Sequence, residues 1–155
     1  MNHQRRNTLK AGGGLGVLGL LAAAGIIKPE MVNAAWNQTA FEAKNMDVAF
    51  TALGAEKPAE SADVVITAPD IAENGAVVTV GVVSNLPKTE QIVIMIEKNP
   101  NMVAATFTLP EGTVADVQTR MKMCQTSEVY AMVKADGKFY VAKKEVTVTR
   151  GGCSG

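Results

Sequence analysis

From residue 63 onward, apolar, β-branched and aromatic residues gather in eight short segments: 63–67, 76–83, 91–98, 104–109, 114–123, 127–133, 139–143 and 145–149. Their side chains tend to alternate in character, and a repeat of two is the spacing of one face of a strand. Turn-forming residues bound the segments: Glu73-Asn74-Gly75, Asn85-Leu86-Pro87, Asn99-Pro100-Asn101, Pro110-Glu111-Gly112 and Asp136-Gly137. No helical run stands between them to act as the crossover of a parallel sheet. The pattern therefore predicts an all-β chain, an immunoglobulin-like antiparallel β-sandwich. Ahead of it, Thr39 and Glu42 have the spacing of a capping box, Phe41, Val48 and Leu53 recur at near-helical intervals, and Gly54 stands at the end. These residues predict one short N-terminal helix. Residues 55–62, with Pro58 and two glutamates, read as a polar linker, and no internal repeat is present.

The first 34 residues have the layout of an export signal. Arg5-Arg6-Asn7-Thr8-Leu9-Lys10 is basic, residues 11–27 carry no charge, and Val32-Asn33-Ala34 offers small residues for cleavage. The uncharged run has 17 residues, six of them glycine. It is shorter than the roughly 20 apolar residues a membrane span needs, so no stable membrane anchor is expected. Arg5 and Arg6 with Leu9 and Lys10 resemble the twin-arginine motif, with Thr8 where that motif usually carries Phe; an ordinary secretory leader is the other reading. Either places the mature chain in the periplasm.

Composition then removes whole classes of function. Hydrophobic residues make up 47% and charged residues 19%, and the net charge is zero, which argues against a disordered tail and against a basic nucleic-acid binder. Cleavage after Ala34 removes four basic residues and one acidic one and leaves 121 residues with a charge of −3. It also removes His3, the one histidine. A Ser-His-acid triad, a Cys-His dyad and histidine-ligated zinc or iron have no residue to use.

The last six residues, Arg150-Gly151-Gly152-Cys153-Ser154-Gly155, place a thiol among glycines beyond the final strand segment. Glycine gives such a segment freedom to move, so residues 150–155 predict a flexible arm that carries a nucleophilic sulfur into a partner's site. Lys143, Lys144 and Arg150 supply nearby positive charge in sequence. A frayed end whose cysteine pairs in an oxidising compartment is the competing reading. Cys124 falls by alternation with Arg120 and Lys122, opposite Met121 and Met123. It reads as a small, partly buried residue, or as the disulfide partner of Cys153 or of another protein's cysteine. A copper-binding sandwich using Met121, Met123 and Cys124 is a further alternative, weakened because alternation sends the methionines to the other face.

The run Lys144-Glu145-Val146-Thr147-Val148-Thr149 followed by Gly-Gly-Cys-Ser-Gly resembles the C-terminus of the SoxY family, the sulfur carriers of the periplasmic Sox thiosulfate-oxidising system. The likeness includes Phe41-Glu42-Ala43-Lys44, the region 71–83, Arg120-Met121-Lys122-Met123 and Lys134-Ala135-Asp136-Gly137-Lys138. Ser154 departs from the family's glycine. The resemblance implies a carrier without a cofactor of its own rather than an enzyme. Cys153 would be the attachment residue, and Gly151, Gly152, Ser154 and Gly155 the arm. It also implies a SoxZ-like β-sandwich partner, a haem-containing conjugating enzyme, a sulfate-releasing hydrolase and a sulfane-oxidising enzyme. The apolar segment 91–98 is a candidate for burial against the SoxZ-like subunit, with the pair exported together.

Overall fold

The computed structural model describes residues 37–55 and 57–153. The expected leader with Arg5 and Arg6, and the arm residues Ser154 and Gly155, lie outside the described residues.

The expected helix is divided in two. Helix α1 spans Gln38–Phe41 and helix α2 spans Met46–Ala52. Their caps are asparagines rather than Thr39: Asn37 Oδ1 accepts from the Ala40 N–H at 3.1 Å, and Asn45 Oδ1 from the Val48 N–H at 2.8 Å. Asn45 is extended, with φ −147° and ψ 160°, and this breaks the helical period the apolar residues suggest. Gly54 ends α2 as expected, at φ +83°.

Among the described residues nine strands follow: β1 Ala59–Glu60, β2 Val64–Thr67, β3 Ile71–Ala72, β4 Val78–Ser84, β5 Thr89–Ile96, β6 Val103–Thr108, β7 Asp116–Met121, β8 Ser127–Ala135 and β9 Lys138–Val148. They form an all-β sandwich. One sheet runs β1-β9-β8-β5-β6, with β3 also pairing β9; the other runs β2-β4-β7. The long pairings are antiparallel, and only the two-residue strands β1 and β3 join β9 in parallel. Strand β1 falls within the segment that reads as a linker. The segments 139–143 and 145–149 are one strand, because Lys144 stays in register opposite Val129. Asp136 and Gly137, at φ 49° and 72°, make the tight turn from β8 to β9.

Alternation puts Val78, Val80 and Val82 of β4 and Met121 of β7 against Ile92, Ile94 and Ile96 of β5 and Val129, Ala131 and Val133 of β8. A second apolar layer lies on the other face, where Val93, Met95, Val103 and Met132 cluster with Ala40, Ala43, Ala49 and Ala55 of the helical segment. Burial of both faces explains why β5 reads as a continuous apolar run. It also corrects the expectation that 91–98 is available to a partner: β5 lies between β8 and β6, and Ile92 to Ile96 are fully buried by their own chain. Among the described residues, no helix is long and apolar enough to cross a membrane.

Candidate functional site

The site forms where the chain leaves β9. Three backbone segments meet there: the 73–76 turn before β4, the 122–124 loop after β7, and the segment 150–153. Gly75 is the common partner. Its N–H donates to Arg150 O at 2.8 Å, and its carbonyl accepts from the Met123 N–H at 2.7 Å. Met123 O in turn accepts from the Gly152 N–H at 2.8 Å. Beside these bonds, Cys124 and Cys153 form a disulfide, with Cα atoms 4.8 Å apart and a sequence separation of 29. It links the end of the larger sheet's β9 to the end of the smaller sheet's β7.

The glycines are required by close approach. Gly75 and Gly152 are not at positive φ, but a Cβ on Gly75 would overlap Met123 O and lie 2.8 Å from Gly152 N. A Cβ on Gly152 would overlap the Gly75 carbonyl and Ala76 N. Asn99 fixes the 122–124 loop: its Nδ2 donates to Lys122 O at 2.8 Å, and its Oδ1 accepts from the Cys124 N–H at 3.0 Å. The 73–76 turn is closed by Asn74 Oδ1, which accepts from the Ala76 N–H at 2.9 Å.

This geometry revises the sequence reading of residues 150–153. In the disulfide-closed form the arm is docked: Gly151 and Gly152 are half-buried, and Cys153 is exposed. The two hydrogen bonds between arm and sandwich contribute about 1 kcal/mol each, so without the disulfide docking is marginal. Cys124 is half-buried, as the packing reading expects, but it follows the competing reading in being the disulfide partner of Cys153. Gly75 and Asn99 were visible in the sequence only as turn residues. Their part in the site depends on three segments meeting, which local spacing does not show.

The expected positive charge is arranged differently. Lys143 pairs with Glu128 at 3.3 Å, and Lys144 with Asp70 at 3.0 Å while donating to Ala68 O at 2.6 Å. Both sit four to five residues before the end of β9, roughly 13–17 Å along the strand, so their charge serves the sheet. Arg150 remains on the arm and is exposed. The copper alternative loses its ligand set: Met121 and Met123 are in the main core, and Cys124 is bonded to Cys153.

Two carboxylates elsewhere on the sheet titrate below the usual glutamate range. The Tyr130 hydroxyl, donating at 2.6 Å, is the main cause at Glu128, and Lys134, at 2.8 Å, is the main cause at Glu90. A depressed folded-state value stabilises above the unfolded value and is lost as pH falls through the folded one. Stability should thus decline below about pH 4.3. The double change Glu90→Gln and Glu128→Gln should flatten that acid limb in urea unfolding; an unchanged limb would assign it to other groups.

A family model described as "Sulfur oxidation protein SoxY" matches residues 50–153. The chain belongs to the SoxY family. The match ends on Cys153, so the docked segment and both cysteines fall within the SoxY region. Among solved structures, the sulfur carrier protein SoxY from Chlorobium limicola f thiosulfatophilum is 36% identical and has a TM-score of 0.63; the match covers 74% of this chain and 100% of that one. Superoxide reductase (neelaredoxin) from Ignicoccus hospitalis has a TM-score of 0.50 at 18% identity, over 55% of this chain and 79% of its own, and shows a shared fold alone. Comparison with curated proteins returned no match.

Gly75→Val tests the docking of this SoxY-family segment. The added side chain displaces Met123 O or Gly152 N, so protein prepared without reductant should show two reactive thiols where the parent shows none. Relative to the oxidised parent, stability should fall by at least the roughly 3 to 4 kcal/mol that the disulfide contributes. A variant whose disulfide still closes fully would show that the approach at Gly75 is not needed.

Proposed function

We propose that the chain is a periplasmic sulfur carrier that holds thiosulfate-derived sulfur on Cys153 and presents it to separate enzymes. The observation that carries this reading is an exposed cysteine directly after a glycine pair, at the end of the SoxY-family match. The thiolate is the reactive form of cysteine. Once the disulfide is opened, Cys153 and thiosulfate join through a new S–S bond, with two electrons passing to the haem-containing conjugating enzyme. Hydrolysis then releases sulfate and leaves a persulfide, which the sulfane-oxidising enzyme acts on. The chain supplies the attachment atom and the reach of Gly151, Gly152, Ser154 and Gly155; catalysis belongs to its partners.

The test is mass spectrometry of the protein isolated from its native host. Sulfur or sulfonate adducts on Cys153 are the expected result. Stoichiometric copper would favour metal handling, and a terminus never found modified would oppose the carrier reading.

The leader completes the proposal. Arg5 and Arg6 address the folded chain to the twin-arginine translocase, and a SoxZ-like subunit without its own signal crosses with it. Since β5 is already covered by its own chain, the partner must use another surface. Replacing Arg5 and Arg6 by Lys should leave both proteins in the cytoplasmic fraction. A partner that still reaches the periplasm would refute joint export.

A further inference from the structure

The two sulfurs of the disulfide differ in access. Cys153 is exposed in the segment after β9, while Cys124 is half-buried on a loop held by Asn99 through both Lys122 O and the Cys124 N–H. A nucleophile arriving from solution therefore meets Cys153 Sγ first, and the sulfur it displaces is Cys124 Sγ.

We propose that the Cys124–Cys153 disulfide is itself a loading site for hydrosulfide, with Cys124 as the exchange thiol. The hydrosulfide sulfur attacks Cys153 Sγ and a new S–S bond forms. The Cys124–Cys153 bond breaks, its electron pair goes to Cys124 Sγ, and the hydrosulfide proton passes to solvent or to the departing thiolate. The incoming sulfur is oxidised to the sulfane level and the Cys124 sulfur is reduced to a thiolate, so no outside oxidant is consumed. The product is a persulfide on Cys153, the residue read above as the carrier; the inference rests on that reading for its meaning but not for its chemistry.

The surroundings favour this direction. Lys122 and Arg150, both exposed, precede Cys124 and Cys153 by two and three residues. They attract an anionic nucleophile and favour the departing thiolate. Opening the disulfide also removes the covalent restraint on residues 150–153, leaving Gly75 and Met123 as their backbone anchors. Loading and release of the arm are then one event: the empty oxidised carrier is docked, and the loaded carrier is free to enter a partner. The reverse attack, by Cys124 on Cys153 Sγ, expels hydrosulfide and docks the arm again, so hydrosulfide concentration sets the balance.

The experiment uses the full chain in its disulfide form, mixed with excess sodium sulfide without oxygen, blocked with iodoacetamide and mapped by peptide mass spectrometry. The expected result is one added sulfur atom on Cys153, a blocked and unsulfurated Cys124, and loading that rises with hydrosulfide. Added sulfur mainly on Cys124, or a disulfide that stays intact, would overturn the proposal. Cys124→Ser, kept reduced, should take up no sulfur, because a thiol and hydrosulfide cannot form a persulfide without an oxidant; uptake equal to the parent would also overturn it. The readout is a two-component exchange. Its failure leaves enzyme-driven charging of Cys153 by thiosulfate standing, and failure of that charging leaves the exchange measurable.

Discussion

Cys153→Ser should reduce thiosulfate-dependent turnover in a reconstituted system to background while the sandwich remains folded. The residue lies beyond β9 and is exposed, so its side chain contributes little to either apolar layer. What it supplies is a sulfur that can be bonded to another sulfur; a serine hydroxyl on the same backbone cannot form a persulfide. The substitution also removes the link to Cys124, so its stability belongs beside that of the reduced parent rather than the oxidised one. Matching unfolding curves with absent turnover are the expected pair of results. Full turnover would end the carrier reading.

Reducing the disulfide should lower stability by about 3 to 4 kcal/mol in urea unfolding. The cysteines are 29 residues apart, and in the chain-entropy description a loop of that size restricts the unfolded chain by this amount. Cys124→Ala should produce a similar loss, larger than the about 1 to 2 kcal/mol expected for trimming a small packing residue. A difference under about 1 kcal/mol between the oxidised and reduced forms would mean that the reduced native state keeps compensating contacts or that the unfolded state is already compact. The size of this effect bears on the proposed function, because charging Cys153 as proposed requires this disulfide to open.

Much of the fold could be read from local pattern. Val78, Val80 and Val82, and again Val129, Ala131 and Val133, sit at every second position and face one core, so a period of two was enough to place them. The Asp136-Gly137 turn followed from residues suited to left-handed backbone. The misses have a common cause. Asn37 and Asn45 took the caps because their side chains reach the Ala40 and Val48 N–H groups, a choice that spacing alone did not separate from Thr39. Strands β1 and β3 have two residues each and exist only because β9 offers an edge to pair with. Cys153 stood out as the candidate attachment residue because glycines precede it, and the resemblance to SoxY, not the local pattern, separated that reading from a frayed end whose cysteine is paired. Its bond to Cys124, and the fit of Gly75 against Gly152, depend on segments far apart in sequence.

The central claim is that sulfur is held on Cys153 and nowhere else on the chain. The most direct measurement starts from the reduced chain, charges it with thiosulfate through its haem-containing conjugating enzyme, and maps the product by peptide mass spectrometry. The account predicts one thiosulfate-derived adduct on the peptide containing Cys153, with Cys124 unmodified. An adduct on Cys124, or none on Cys153 while the enzyme turns over, would contradict it.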